Sequence, residues 1–178
     1  MGIYSNTLFQ LLLTVAALYV ACTIPRQANP AQTNLLFYAH DRLTGDDATT
    51  VMIGGKAGHE SNIFHFGSMV VMDCPVTEGP DAESREIGRA QGIYVNSQRD
   101  GKAVYVVFSV MFTAGEYEGS SLEIQGPDAF AMKQREFGVV SGTGRFRFAR
   151  GFGILETEVM DLVKLRGTLK LNITVKHY

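Results

Sequence analysis

The feature that most constrains this sequence is a two-residue repeat of apolar and polar side chains. From Leu169 to Lys176, apolar residues alternate strictly with polar ones. Since successive side chains of a β-strand point to opposite faces, this pattern predicts a strand with one buried and one exposed face. No stretch of twelve or more residues shows the 3.6-residue period of an amphipathic helix. The chain is therefore expected to be all-β.

Further strand patterns are separated by turns rich in Gly, Asp and Pro. We predict strands at Leu35–Leu43, Thr49–Ile53, Phe64–Met72, Ile87–Val95, Ala103–Ala114, Ser120–Ile124, Gly144–Val159 and Leu165–Tyr178. Regularly spaced strands with little helix are typical of a sandwich or a closed barrel. Ala103–Ala114 is apolar on both faces, which indicates burial inside the barrel and against another subunit.

The N-terminus differs in kind, because Leu8–Ala21 is apolar and free of charge. This run is shorter than the ~20 residues that span a bilayer, and it fits the apolar region of a secretory signal peptide. A buried helix or a membrane anchor is the alternative. We divide the chain into a signal peptide at residues 1–23, a flexible mature N-terminus at 24–34 and one domain at 35–178. The mature protein is expected to be secreted and free of the membrane.

Cysteine and histidine usage predicts neither a disulfide nor a metal site. Cys22 lies at the end of the leader, so Cys74 remains alone and is interpreted as a buried or turn residue. The spacing of the histidines fits no zinc pattern. They are His40, His59, His65 and His177.

Charge and motifs argue against nucleic acid as a partner. The formal net charge is −2. Arg150-Gly151-Phe152-Gly153 matches half of an RNA-recognition strand motif, but the next four residues lack its aromatics. Arg145, Arg147 and Arg150 are interpreted as a solvated or subunit-facing strip of ion pairs on one strand.

Two carboxylates are candidates for acid–base chemistry. Asp41 follows Phe37 and Ala39 at strand period, so it shares their apolar face, where desolvation raises a carboxyl pKa and suits it to general acid work. Asp128 and Arg135 fall in a stretch interpreted as irregular, where a salt bridge or a turn cap is the alternative to a catalytic role.

Asn172-Ile173-Thr174 is a glycosylation sequon, and Asn172 is a glycosylation candidate. It lies on the polar face of the predicted last strand.

Six segments in order resemble the plant dirigent family, from about Leu35 to Tyr178. They are Phe37–Asp41, Cys74–Pro80, Gly88–Tyr94, Phe112–Ser120, Arg135-Glu136 with Ser141–Gly151, and His177-Tyr178. The resemblance implies an eight-stranded antiparallel β-barrel, a homo-oligomer (a trimer, or else a dimer) and a place in the apoplast. By position, Asp41, Asp128 and Arg135 match the family's catalytic polar residues, and Tyr94 and Thr157 match residues of its substrate pocket.

The resemblance also implies work on small phenolic substrates. The first expectation is a dirigent protein that imparts stereoselectivity on phenoxy-radical coupling of monolignols such as coniferyl alcohol. A separate laccase or peroxidase would supply the radicals, and the protein would need no cofactor of its own. One alternative is a cofactor-free dehydratase or cyclase acting through a quinone methide, as in pterocarpan formation. The other is a non-catalytic defence or cell-wall protein that binds phenolics.

Overall fold

The structure is a computed structural model that describes residues 29–55 and 62–178, together with Gln10 and Thr14. The predicted signal peptide, apart from those two residues, and His59 lie outside the described part. No helix among the described residues is long and apolar enough to cross a membrane.

Nine strands and one short 3₁₀ turn make up the described chain. The strands are β1 (Ala31–Arg42), β2 (Thr50–Gly54), β3 (Met69–Thr77), β4 (Glu86–Asn96), β5 (Ala103–Phe112), β6 (Ser121–Ala129), β7 (Arg135–Thr143), β8 (Arg150–Asp161) and β9 (Arg166–His177), and the 3₁₀ turn is Gly144–Phe146.

The strands close into an antiparallel barrel. Their order is β1-β9-β8-β7-β6-β5-β4-β3, and β1 pairs again with β3 to complete the ring. β2 pairs with β3 as an additional short strand outside this ring of eight. Closure removes the unpaired edges that an open sheet would expose. The predicted all-β fold and eight-stranded antiparallel barrel are confirmed.

The closing seam between β1 and β3 is short. Backbone pairing joins only Tyr38 to Thr77 and Ala39 to Val76. Beyond these two pairs, the side chain of buried His40 connects the strands. Its Nε2 lies 2.7 Å from the Thr77 hydroxyl and its Nδ1 lies 3.3 Å from the Thr168 hydroxyl. β1 is thereby tied to β3 and β9 where the two seam strands diverge.

One end of the barrel is filled by aromatic rings. Phe146 lies 4.9 Å from Tyr117, 5.7 Å from Phe112 and 5.3 Å from His177, measured between ring centroids. Phe37 meets Phe112 edge to face at 6.0 Å. Such pairs add to the free energy gained by burying the rings. Any site inside the barrel must therefore open at the other end, where β1 ends and β9 begins.

Several strand boundaries differ from those predicted. β1 begins at Ala31, because Ala31–Asn34 pair with the end of β9 rather than forming a flexible N-terminus. β3 begins at Met69, because backbone hydrogen bonds fold Asn62–Ser68 into turns. Gly144–Val159 is not one strand, since a 3₁₀ turn occupies Gly144–Phe146 and β8 starts at Arg150.

The stretch interpreted as irregular contains the end of β6 and the start of β7, so that interpretation was wrong. Pro127 obscured the second half of β6 in the sequence, because proline lacks the N–H that strand pairing uses. In the structure Pro127 lies beyond the Gln125–Gly138 pair that ends the ladder with β7, so no hydrogen bond to β7 is lost. β7 was not predicted because Gly142 was interpreted as a turn residue. A Cβ at that position would lie 2.6 Å from the Phe146 carbonyl oxygen, so the close approach of the backbones requires glycine.

Candidate active site

The open end of the barrel holds a large cavity with a narrow extension into the interior. The mouth cavity has a volume of about 460 Å³ and the inner one about 60 Å³. Asp41, Asp128 and Leu169 line both. The two carboxyls therefore stand where the mouth meets the apolar interior. A ligand entering from the open end would meet them at the floor of the mouth.

Asp41 is on the inner face of β1, as the alternation predicted. Its Oδ2 accepts a 3.4 Å hydrogen bond from the Tyr94 hydroxyl, while Oδ1 is buried without a hydrogen-bond partner among the described residues. Desolvation raises the pKa of Asp41 to about 6, although the hydrogen bond from Tyr94 and the nearby Thr50 hydroxyl lower it. Gly167 is its cross-strand neighbour on β9 and lines the mouth beside Met160.

Tyr94, on β4, is a buried wall of the inner cavity, as its match to a pocket position implied. Desolvation and the Asp41 charge both raise the pKa of its phenol. The hydroxyl therefore stays protonated and acts as a hydrogen-bond donor.

The second carboxyl forms a buried ion pair. Asp128 Oδ1 lies 2.9 Å from Arg135 Nε, and both residues are more than nine-tenths buried. Arg135 also donates to the Thr157 hydroxyl from both terminal nitrogens at 3.0 Å and to the Met132 carbonyl at 3.2 Å. Desolvation raises the pKa of Asp128 although the Arg135 charge opposes it. The pair joins β6, β7 and β8 at the mouth.

The walls of the mouth were not predicted from the sequence. Phe64 and Phe130 meet edge to face at 5.5 Å between ring centroids, joining the loop before β3 to the loop after β6. Met132 and Met160 also line the mouth and are half exposed.

A second lobe adjoins the mouth. Its volume is about 270 Å³, and it shares Leu43, Ile63, Phe64 and Leu165 with the larger lobe. Thr50 is also among its lining residues. The open end is therefore two-lobed.

Other predicted features fall outside this site. Cys74 is a free thiol buried in β3, and desolvation raises its pKa to about 12, so it is not a nucleophile at neutral pH. Asn172 is exposed in the middle of β9, and the hydroxyl of its sequon residue Thr174 donates to Asn34 Oδ1. Within the described residues, no cluster of three or more His, Cys, Asp or Glu could hold a metal ion.

The fold and the site define a class: a closed antiparallel barrel with a polar-floored apolar cavity at one end, suited to a small, largely apolar ligand. The sequence profile described as "Dirigent-like protein" matches residues 32–176. The chain belongs to the dirigent family.

Relatives of two kinds are similar to this chain. "Dirigent protein 11" of Arabidopsis thaliana is 36% identical over 157 residues, which cover 87% of this chain and 80% of the relative. "Pterocarpan synthase 1" of Glycyrrhiza echinata is 36% identical over 147 residues, covering 82% of this chain and 78% of the relative. A solved pterocarpan synthase dirigent protein superposes with a TM-score of 0.79 at 34% identity, covering 86% of this chain and 89% of its own.

Proposed function

We propose that the chain binds phenolic molecules in the mouth of its barrel and sets the stereochemistry with which they form a new bond. In its main form, this is the coupling of two phenoxy radicals derived from monolignols such as coniferyl alcohol, made by a separate laccase or peroxidase. The observation that carries the proposal is a two-lobed apolar cavity with two carboxyls at its floor, whose pKa values burial raises.

Orientation is the first contribution of the barrel. Each lobe holds one aromatic ring. The two radicals therefore approach each other through one defined face of each. Holding two reactants in a fixed geometry is worth several kcal/mol between competing geometries. The closed barrel supports that geometry at the floor of the mouth, because Asp41, Asp128 and Arg135 lie on strands, which position side chains more precisely than loops do.

Proton transfer is the second contribution. Radical coupling forms a carbon–carbon bond and leaves quinone methides, whose rings close when an alcohol oxygen attacks and the quinone-methide oxygen gains a proton. A carboxyl with a raised pKa is the group that can donate this proton and then accept one from the attacking hydroxyl. In this proposal Asp41 and Asp128 take these roles, Arg135 polarises the quinone-methide oxygen, and Tyr94 and Thr157 position the phenol.

A second candidate is a cofactor-free dehydratase or cyclase. In this reaction one substrate loses water to give a quinone methide, which then cyclises without an oxidant. The likeness to pterocarpan synthases in sequence and in structure favours it. Asp41, Asp128 and Arg135 would serve as acid, base and clamp.

Two incubations separate the candidates. The first contains coniferyl alcohol and a one-electron oxidant, followed by chiral chromatography of the dimers. The second contains an isoflavanol without oxidant, followed by assay for the dehydrated ring. The main proposal predicts an enantiomeric excess in the first, and a racemic product at saturating protein would contradict it. Turnover in the second supports the cyclase, and failure of both favours a non-catalytic phenolic-binding protein.

We also propose that the protein is exported to the apoplast and assembles as a homo-oligomer, a trimer or else a dimer. The apolar Leu8–Ala21 segment supports export. A row of cross-strand neighbours on the outer face of β2 to β5 supports assembly. It consists of Val51, Val71, Ile93 and Val107, each between 38% and 61% exposed. Such a continuous apolar row favours contact with a second copy.

A further inference from the structure

A cluster of cations and exposed aromatics lies at the closed end of the barrel, away from the mouth. We call it the closed-end basic surface. It consists of Arg147, Phe148, Arg150, Phe152 and Lys176, all of them exposed. Arg150 and Phe152 are alternate residues of β8 and so share its outer face, and Lys176 faces Arg150 from β9. The half-motif Arg150-Gly151-Phe152-Gly153 falls within it.

The cross-strand pair Arg150 and Lys176 places like charges directly opposite each other, which is destabilising. The barrel has another such pair, Arg42 opposite Arg166, and there the Asp47 carboxylate contacts both guanidinium groups at 3.3 Å and 2.6 Å. No described acidic side chain does the same for Arg150 and Lys176. The pair lacks a carboxylate that its counterpart has.

The three arginines interpreted as a strip on one strand do not share a strand, because Arg150 is in β8 and the other two precede it. Arg145 is in the 3₁₀ turn and lies 3.8 Å from Glu116, with its guanidinium over the Tyr117 ring. Arg147 caps that turn and has no acidic partner in the described part of the chain. Among the described residues, Arg150 donates only to the Ala149 carbonyl. Within that part of the chain, Arg147 and Arg150 therefore have guanidinium donors that an external anion can reach.

The aromatic residues give the surface a second property. Phe148 has a φ of 61°, a left-handed backbone that a bulky residue rarely adopts, and its side chain is 70% exposed. Phe152 is 48% exposed, and its cross-strand neighbour is Thr174. A phenyl face carries partial negative potential and attracts the C–H groups of a sugar ring, while neighbouring hydroxyls can bond to its alcohols.

We propose that the closed-end basic surface binds an acidic polysaccharide, a polymer that carries one carboxylate on each of successive sugar rings. A carboxylate takes the place between Arg150 and Lys176 that Asp47 takes between Arg42 and Arg166, in the bidentate geometry that guanidinium favours. Phe148 and Phe152 stack on the sugar faces. The site is separate from the mouth, and it does not depend on the chemistry performed there.

Binding is tested with full-length mature protein and polygalacturonate at about 50 mM salt, by titration calorimetry or by retention on the immobilised polymer. The double variant Arg147→Gln/Arg150→Gln should bind about tenfold more weakly, and its affinity should fall less steeply with added salt. The matched control Arg99→Gln/Lys102→Gln removes two charges at the opposite end and should bind as the parent does. Phe148→Gly should also weaken binding, and glycine suits the left-handed backbone there.

Three results would overturn the proposal. One is equal binding by the Arg147→Gln/Arg150→Gln variant and the parent, with both shown to be folded by their unfolding midpoints. Another is equal affinity for neutral dextran. The third is binding of single-stranded DNA at least tenfold tighter than of polygalacturonate at the same salt, which would assign the surface to nucleic acid instead. Phenolic turnover should be the same in all these variants.

Discussion

Asp41 is a buried carboxyl with one oxygen unsatisfied by the described residues, and its presence weakens the fold at neutral pH. Desolvation raises its pKa from 3.8 to about 6 in the folded protein. A group whose folded-state pKa is raised contributes stability below the unfolded-state pKa, and this stability is lost as the pH rises through the folded-state value. The loss therefore falls between about pH 4 and pH 6.

Asp41→Asn should remove that pH dependence. The variant is expected to match the parent protein in free energy of unfolding at pH 4 and to exceed it at pH 7, by at most about 3 kcal/mol for a shift of two pKa units. Denaturant titrations at the two pH values measure the difference. A variant less stable than the parent at pH 7 would show that the Asp41 carboxylate is well solvated or paired.

Asp73→Asn is the control with the opposite sign. The hydrogen bond from Arg89 holds the pKa of this exterior carboxyl below its usual range. The stability that the Asp73 carboxylate contributes is present at neutral pH and is lost as the pH falls. Asp73→Asn should therefore be less stable than the parent protein at pH 7.

Individual residues differ in how far the sequence reveals them. Asp41 follows from strand alternation alone, because Phe37 and Ala39 fix its face. For Asp128 and Arg135 a salt bridge was one interpretation, but their 2.9 Å ion pair joins adjacent strands, one of which was not predicted. Thr50 could not have been foreseen, because its closeness to Asp41 depends on how β2 packs over the seam.

At the scale of elements, the clearest strands were predicted where side chains alone decide the structure. β5 and β9 lie within two residues of their predicted bounds because their apolar patterns are long. β7 was missed because Gly142 resembles a turn residue. Glycine at this position permits a close approach of neighbouring backbones, a tertiary cause that local sequence does not display.

The aromatic rings that fill the closed end around Phe146, here called the aromatic plug, should stabilise the fold without affecting the mouth. Phe146→Ala removes a fully buried ring and leaves a cavity, with an expected loss of about 3–5 kcal/mol in the free energy of unfolding. Phe148→Ala, two residues away and 70% exposed, should change it little. Equilibrium denaturation compares the two. Equal losses would contradict the assignment of Phe146 as the plug.

At the scale of the whole molecule, the two outer sides of the barrel have different chemistry. The β2 to β5 side presents an apolar row, whereas the closed ends of β8 and β9 present cations and exposed phenyl rings. The apolar character of β5 on both faces was visible in the sequence, and the structure places Tyr105, Val107 and Met111 outward and partly exposed. Which strands would join β5 in that surface needed the barrel order.

Assembly through the apolar row should be sensitive to one charge. Val107→Asp is expected to shift the protein from oligomer to monomer by light scattering after size-exclusion chromatography, because an unpaired charge at a buried interface is strongly unfavourable. Leu36→Asp, an exposed apolar residue on β1 away from the row, is the matched control and should leave the mass unchanged. A monomeric parent protein would contradict the proposed interface.

The central claim is that the buried carboxyls of the barrel mouth set the stereochemistry of a phenolic product. It is tested most directly by the enantiomeric excess from coniferyl alcohol and a one-electron oxidant, measured for the parent protein, Asp41→Asn, Asp128→Asn and the exterior control Asp73→Asn. We predict that the parent and Asp73→Asn give the same excess and that both mouth variants lose most of it. An undiminished excess from folded Asp41→Asn and Asp128→Asn proteins would contradict the account.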